Sequence, residues 1–494
     1  MRVRNGNLPQ GEAIRVENDA LLLDGERIPL SDVLSVEVDQ KGVKLSGFPL
    51  NKGGNRKRRE WTVRMDESNA VETVKRIQEA MEIQPPHRPS SSNRRVLVIN
   101  NPFAGQKLSS KLWASDAKDV LAEAGWNCEI IETTHSGHGI EIAKQLDIDQ
   151  YAAVLINSGD GLVSEFLHGL LLRRDRERAL KMPIGHLPGG TSNALAASIC
   201  FACNEPFSAR YGFMRECALM AARPKFYPLR LVRAEVEGSG LVPMFMSTTW
   251  GLIADIDIES ERFRWTGMIR LHIEAVIRIA QLPTTCNYRA RISYIPVGNA
   301  EMGRKTMLRH NVDRKEFGKN HFKMNEVEEY LGDSSLPSGY FDSIDSALSP
   351  STSQKALLPP LDQPIDSPEF TVIEGEYVFV CINTLSHLGS DLPYLPSCKL
   401  DDGDILYLTL IDWRLVKNRL EVGVLMATID GSRHLAYPCF QVIPVRACRV
   451  EPMYGSGGNL AVDGEPKGKG KAFQVEALPY TATVIGREEV TRPT

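Results

Sequence analysis

Ala152-Ala153-Val154-Leu155-Ile156 runs into Asn157-Ser158-Gly159-Asp160-Gly161-Leu162-Val163-Ser164-Glu165 and then into Phe166-Leu167-His168-Gly169-Leu170-Leu171-Leu172. The first run predicts a buried strand and the last a helix, with Gly-Asp-Gly where one hands over to the other. Open parallel sheets bind their ligands at this edge. Glycines let the chain turn sharply and let a ligand approach the backbone, and a helix N-terminus favours phosphate. Gly-Asp-Gly also occurs in ordinary turns, so its meaning depends on what else shares that edge.

Outward from this stretch, strands and helices alternate. Strands are predicted at Val96–Ile99, Cys128–Glu132, Ala152–Ile156 and Pro183–Leu187, and helices at Leu112–Ala124, Gly139–Leu146, Phe166–Arg173 and from Ala194. This rhythm predicts a doubly wound, Rossmann-like α/β lobe over 94–228. From Leu229 strand-like runs dominate, which predicts a β-rich, β-sandwich-like lobe over 229–490. A helix at Met268–Gln281 interrupts it. Its Ile269, Ile273, Val276, Ile277 and Ala280 recur at helical spacing, a stripe suited to the core or to a membrane surface. Residues 299–368 are polar and rich in Ser and Pro, which predicts a disordered insertion. It carries Ser349 and Ser367, each before a proline, as sites for proline-directed phosphorylation.

Ahead of the α/β lobe, 84–93 reads as a linker and 10–83 as a separate unit of short strands closed by a helix at Ser68–Met81. In layout that unit resembles a pleckstrin-homology-like α+β module. Its basic run, Lys52, Arg56, Lys57, Arg58 and Arg59, reads as a solvated hairpin loop or as a contact for anionic lipid.

Of the 494 residues, 42% are hydrophobic and 24% charged, and the net charge is −4. That is a globular composition, and the charge balance gives no reason to expect nucleic acid. Cys200 and Cys203 form a C-x-x-C without a second such pair, so incidental thiols are the expectation. The chain starts without the apolar core of a signal peptide, and no apolar run approaches the ~20 residues of a membrane span. A cytoplasmic protein is expected.

Three strand ends carry loops suited to phosphate: Asn100-Asn101-Pro102-Phe103-Ala104-Gly105-Gln106-Lys107, the Gly-Asp-Gly loop, and Leu187-Pro188-Gly189-Gly190-Thr191-Ser192-Asn193-Ala194-Leu195-Ala196. The first is not a Walker loop. In a doubly wound sheet all three share one edge, so a nucleotide site is the favoured reading.

The set Asn-Pro-x-x-Gly, Ser-Gly-Asp-Gly-x-x-x-Glu and Pro-x-Gly-x-x-Asn-Ala-Leu-Ala resembles the diacylglycerol-kinase-like catalytic pattern. Trp250-Gly251-Leu252-Ile253-Ala254-Asp255-Ile256-Asp257-Ile258-Glu259-Ser260-Glu261-Arg262-Phe263-Arg264, Leu385-Ser386-His387-Leu388-Gly389 and Ala461-Val462-Asp463-Gly464-Glu465 are similar to sphingosine kinases. The resemblance covers about residues 94–490 apart from the insertion, and not the N-terminal unit.

It implies an ATP- and Mg²⁺-dependent lipid kinase acting on sphingosine, sphinganine or phytosphingosine, with peripheral membrane association. By the resemblance, Asp160 is the base that deprotonates the lipid hydroxyl, and Ser158, Gly159 and Gly161 complete the loop where hydroxyl and γ-phosphate meet. Asp257 matches the carboxylate that holds the sphingoid ammonium, with Asp255 two residues away on a strand and facing the same side. For ATP, the resemblance implies Asn101, Pro102 and Phe103, then Thr133, Thr134, His135, Ser136 and Gly137, then Glu165, then Gly190, Thr191 and Ser192. Arg264, Arg270, Asp463, Gly464 and Glu465 complete the set, with Asp463 and Glu465 toward Mg²⁺. Phe103, Gln106 and Ser192 depart from the family's usual residues. Ceramide kinase, which can carry a similar N-terminal module, and a silent lipid-binding scaffold are the competing readings.

Overall fold

The computed structural model describes residues 14–90, 94–208, 212–266, 269–284, 286–297, 327–329, 331, 341–349 and 356–488. In the α/β lobe, strands Asn127–Glu132, Arg95–Asn100, Ala153–Ser158 and Pro183–Pro188 pair in that spatial order, all parallel. The strand order reverses between Arg95–Asn100 and Ala153–Ser158. A doubly wound sheet opens its binding crevice at such a reversal. The first phosphate-suited loop and the Gly-Asp-Gly loop leave these two strands side by side. Asn157 Nδ2 donates to Asn100 Oδ1 at 2.8 Å and ties the two strand ends together.

The last strand, Phe473–Gly486, continues this sheet. Its C-terminal part pairs parallel with Pro183–Pro188, and its N-terminal part pairs antiparallel with Phe440–Pro452. One 14-stranded pairing network therefore runs through both lobes. Within the second lobe the strands do not form two separate sandwich sheets. Thr371–Asn383 pairs with Tyr288–Pro296 and with Leu406–Asp412, and both of those pair with Phe440–Pro452. The four strands form a closed circuit around a core that includes Trp250, Tyr288, Phe379 and Phe440.

The N-terminal unit holds two three-stranded antiparallel sheets and the helix Glu67–Ala80. Asp66 caps that helix by accepting from the Asn69 N–H. Leu34 and Phe48 of this unit join the core of the α/β lobe. Within the basic run Arg56 turns inward, whereas Lys52, Lys57, Arg58 and Arg59 are exposed. Arg56 is buried, donating to both oxygens of Glu205 at 2.7 and 2.8 Å and to Asp32 at 2.7 Å. Arg58 pairs with Glu123 and Arg59 with Glu26. Arg56 and Arg58 dock this loop on the α/β lobe through Glu205 and Glu123, while Glu26 lies within the N-terminal unit itself.

Described parts of the insertion pack against both lobes. Helix Ile344–Leu348 buries Ala347 and Leu348, and Arg449 donates to the carbonyls of Pro359, Pro360 and Gln363. The rest of 299–368 lies outside the described residues. Ser349 and Ser367 are exposed.

Helix Ile269–Gln281 turns its apolar stripe the opposite way from a core helix. Ile269 and Val276 are 63% and 70% exposed, while Glu274 is fully buried. Arg262 and Arg278 each donate to Glu274 at 2.6 Å, so the inward face is held by a charge network. Helix Arg419–Met426 packs beside it and leaves Leu420 and Val424 exposed. Among the described residues no helix is long and apolar enough to cross a membrane.

Candidate active site

Two glycine contacts explain how the loops meet. A Cβ on Gly105 would collide with the Gly189 carbonyl, and one on Gly190 would collide with Gly159. Gly105 also has a φ of +54°, a conformation that favours glycine. Asn193 closes the third loop from a left-handed φ of 53°: its Oδ1 accepts from Gly190 N–H and its Nδ2 donates to the Gly190 carbonyl, both at 2.9 Å. That geometry suits Asn better than most residues. The three loops enclose a cavity of about 1160 Å³.

Asp160 is buried between Gly159 and Gly161, which both line the cavity. The helix begins at Asp160 itself, six residues earlier than the apolar run suggests, so the carboxylate sits in the first turn. Its Oδ2 accepts from Ala194 N–H at 2.9 Å and its Oδ1 from Leu195 N–H at 3.0 Å. These N–H groups open helix Ala194–Ala202. Asp160 thus joins the start of its own helix to the start of the helix that follows the third loop. Ser158, Gly159 and Gly161 line the cavity beside it.

Most residues expected at the nucleotide reach the cavity: Asn101, Phe103, Thr133, Thr134, His135, Ser136, Glu165, Gly190, Thr191, Arg270 and Glu465. Glu165 acts on the loop after strand Asn127–Glu132, because its two oxygens accept from Gly137 N–H at 2.9 Å and Gly139 N–H at 3.0 Å. Gly137 thereby serves the loop's shape. Pro102 and Ser192 do not line the cavity. The Ser192 carbonyl accepts from Ser390 N–H at 2.6 Å and joins the third loop to the β-rich lobe. Arg270 contacts Glu261 and donates to Ser260 Oγ at 3.1 Å. The backbone of Arg264 lies in a short 3-10 segment, and its side chain lies outside the described residues.

Asp463 and Glu465 separate in role. Asp463-Gly464 is a two-residue hairpin turn with φ of 49° and 80°, and it aims Glu465 at the cavity. Asp463 is buried. Its oxygens accept from the N–H groups of Phe245, Met246 and Ser247 at 2.9–3.0 Å and from Ser164 Oγ at 3.4 Å. These four donors use a carboxylate's capacity. Asp463 therefore pins the two lobes together and has no lone pair left for a metal, whereas Glu465 does. Burial, with the nearby Asp160 adding to it, pushes the Asp463 carboxyl up to about 6. No cluster of three or more metal-ligating side chains occurs among the described residues.

Asp255 and Asp257 lie on helix Leu252–Glu259 and not on a strand. Two residues along a helix are about 200° apart, so they face different ways. Asp255 is buried, accepting from Tyr288 O–H at 2.7 Å and from the Asn459 N–H and Nδ2 at 2.7 and 2.8 Å. It holds the fold of the second lobe. Asp257 keeps solvent access, yet protein around it desolvates the carboxyl and raises it above its ordinary value, with Arg270 opposing. Three groups that act on it, Arg270, Glu261 and Glu465, line the cavity. Lys107, Leu162, Glu261, Trp265 and Thr266 also line the cavity, and none of them was expected to. Lys107 ends the first loop, and a cation there was the available signal.

Residues 95–210 match the diacylglycerol kinase catalytic domain. The chain is 30% identical to sphingosine kinase 1 of Homo sapiens over 75% of this chain and 85% of that protein. It is 27% identical to sphingosine kinase 2 of Homo sapiens over 79% and 71%, and 26% identical to sphingoid long chain base kinase 5 of Saccharomyces cerevisiae over 80% and 59%. A crystal structure of a diacylglycerol kinase from Bacillus anthracis overlays 81% of this chain and 98% of its own at 14% identity, with a TM-score of 0.43. With the catalytic domain in place and the identity to human sphingosine kinase 1 extending over both lobes, the chain belongs to the sphingosine kinase family of lipid kinases.

Proposed function

We propose that this protein transfers the γ-phosphoryl group of ATP to the primary hydroxyl of sphingosine or a related long-chain base, giving the 1-phosphate. The observation that carries this is the position of Asp160, a buried carboxylate held by Ala194 and Leu195 between two glycines that line the cavity where the strand-end loops converge. Asp160 takes the hydroxyl proton as the oxygen attacks the γ-phosphorus. The bond from that phosphorus to the bridging oxygen breaks, and ADP leaves with the electron pair. Gly159, Gly161 and Gly190 let the phosphates lie against backbone, and Lys107 and Arg270 supply positive charge at the rim.

Glu465 is the carboxylate that fits Mg²⁺, which takes one or two carboxylates beside phosphate oxygens and waters. Mg²⁺ bound there would neutralise charge on the transferring phosphate. Asp257 is the acceptor for the lipid's ammonium, because a desolvated carboxyl beside the cavity gains most from an opposite charge.

The outward apolar face of Ile269–Gln281, extended by Leu420 and Val424, supports peripheral membrane binding by a cytoplasmic enzyme that draws its lipid from a bilayer. The N-terminal module, pleckstrin-homology-like in layout, is bound to the kinase through Arg56 and is not a free lipid-targeting unit. The test is a labelled-ATP assay offering sphingosine, ceramide and diacylglycerol side by side. Label on sphingosine is expected. Label on ceramide alone would overturn the substrate assignment, and no label on any lipid would favour a scaffold.

A further inference from the structure

His186 lies behind Asp160, on strand Pro183–Pro188, and is buried. Its Nε2 stands 3.0 Å from the Ser158 carbonyl. A carbonyl oxygen only accepts, so Nε2 carries the hydrogen. Burial lowers the ring's proton affinity, so the imidazole is neutral and Nδ1 is bare. Nδ1 has no hydrogen-bond partner and stands 3.8 Å from Asp160 Oδ1. A bare nitrogen lone pair facing a carboxylate oxygen is unsatisfied. One proton placed between them satisfies both.

That proton is the one the reaction delivers. We propose that His186 is a positioning residue that acts through Asp160, accepting at Nδ1 the proton that Asp160 removes from the lipid hydroxyl. The proton passes from the hydroxyl oxygen to the Asp160 carboxylate and from there to Nδ1. The imidazolium so formed keeps its Nε2–H on Ser158, and Asp160 returns to the carboxylate that Ala194 and Leu195 are built to hold. The proton leaves when the product departs and water reaches Asp160. Among the described residues Asp160 is the charged group acting on the ring, and Asp463 acts on Asp160 in turn. This inference rests on Asp160 being the base.

The test is H186Q in the full chain, with D160N beside it. A glutamine Nε2 can reach the Ser158 carbonyl, so the variant keeps the structural bond and replaces the basic nitrogen by an amide oxygen that does not take up a proton. The expected result is a kcat about tenfold lower with the KM for ATP and lipid unchanged. The acid limb of the pH profile of kcat/KM should also move to lower pH. The pair holds its shared proton to higher pH than Asp160 alone, so removing the partner shifts the limb down. An H186Q kcat within twofold of wild type with the limb unmoved overturns the proposal. A dead D160N with an unaffected H186Q sinks this relay alone, whereas an active D160N sinks the base itself. If H186Q does not fold, single-turnover rates of the wild-type enzyme in H₂O/D₂O mixtures decide. A curved dependence, from two protons in motion, supports the relay, and a straight line contradicts it.

Discussion

Asp160 Oδ2 accepts the backbone N–H of Ala194 at 2.9 Å, so the group proposed as the base also caps the helix after the third loop. Leu195 supplies the second bond at 3.0 Å. Removing the carboxylate leaves two N–H groups buried without an acceptor, at about 1–3 kcal/mol for each group left unsatisfied. D160A should melt several degrees below wild type. D160N, which keeps one acceptor oxygen, should fall in between. Equal melting temperatures for all three in a thermal-shift series would show that the capping bonds contribute nothing.

Asp255 and Asp257 separate fold from recognition. Asp257→Asn should raise the lipid KM at least tenfold and the ATP KM by less than twofold, because it removes the charge that pairs with the ammonium. Asp255→Asn should act on stability, because Asp255 is buried and accepts three hydrogen bonds from Tyr288 and Asn459. Steady-state kinetics varying each substrate, with melting curves, read both. An Asp257→Asn variant whose two KM values change equally contradicts the ammonium assignment.

This pair also shows what a sequence can carry. Glycine loops and the alternation of strands and helices are local signals, and each is found where it was expected. Asp255 and Asp257 were expected on a strand because their segment alternates apolar and acidic residues. Tertiary packing made it a helix and sent the two carboxylates to different surroundings. Ile269–Gln281 has helical periodicity, but periodicity does not say which face turns inward. Leu271, Ala275 and Ile279 on the core, with Arg262 and Arg278 reaching Glu274, decide it. Arg56 likewise reads as one cation in a surface run until Glu205, 149 residues away, is brought beside it.

The outward apolar stripe predicts vesicle binding. The double variant Ile269→Glu, Val276→Glu replaces two exposed apolar side chains, each contributing about 1.5–3 kcal/mol when buried. Vesicle affinity should fall by more than tenfold, while kcat on detergent-dispersed lipid stays within twofold. Unchanged co-sedimentation with anionic vesicles would remove this face from membrane contact.

Glu216 gives a pH signature to the interface that holds the N-terminal unit. It is buried, its Oε2 has no hydrogen-bond partner, and Arg56 Nε stands 3.9 Å away while serving Glu205. Burial pushes its carboxyl up to about 7. A folded-state value above the unfolded one means that the stability linked to this proton is present below about 4.5 and lost as pH rises through about 7. E216Q should therefore melt close to wild type at pH 5 and above it at pH 8.5. A gap that does not widen with pH contradicts this.

The rate at which the full chain and D160N move labelled phosphate from ATP to sphingosine, at equal lipid concentration, tests the central claim most directly. The wild-type protein should form labelled sphingosine 1-phosphate. D160N should run at least ~10²-fold slower, the contribution of a positioned general base, while nucleotide still raises its melting temperature. A folded D160N within tenfold of the wild-type rate would mean that Asp160 is not the base.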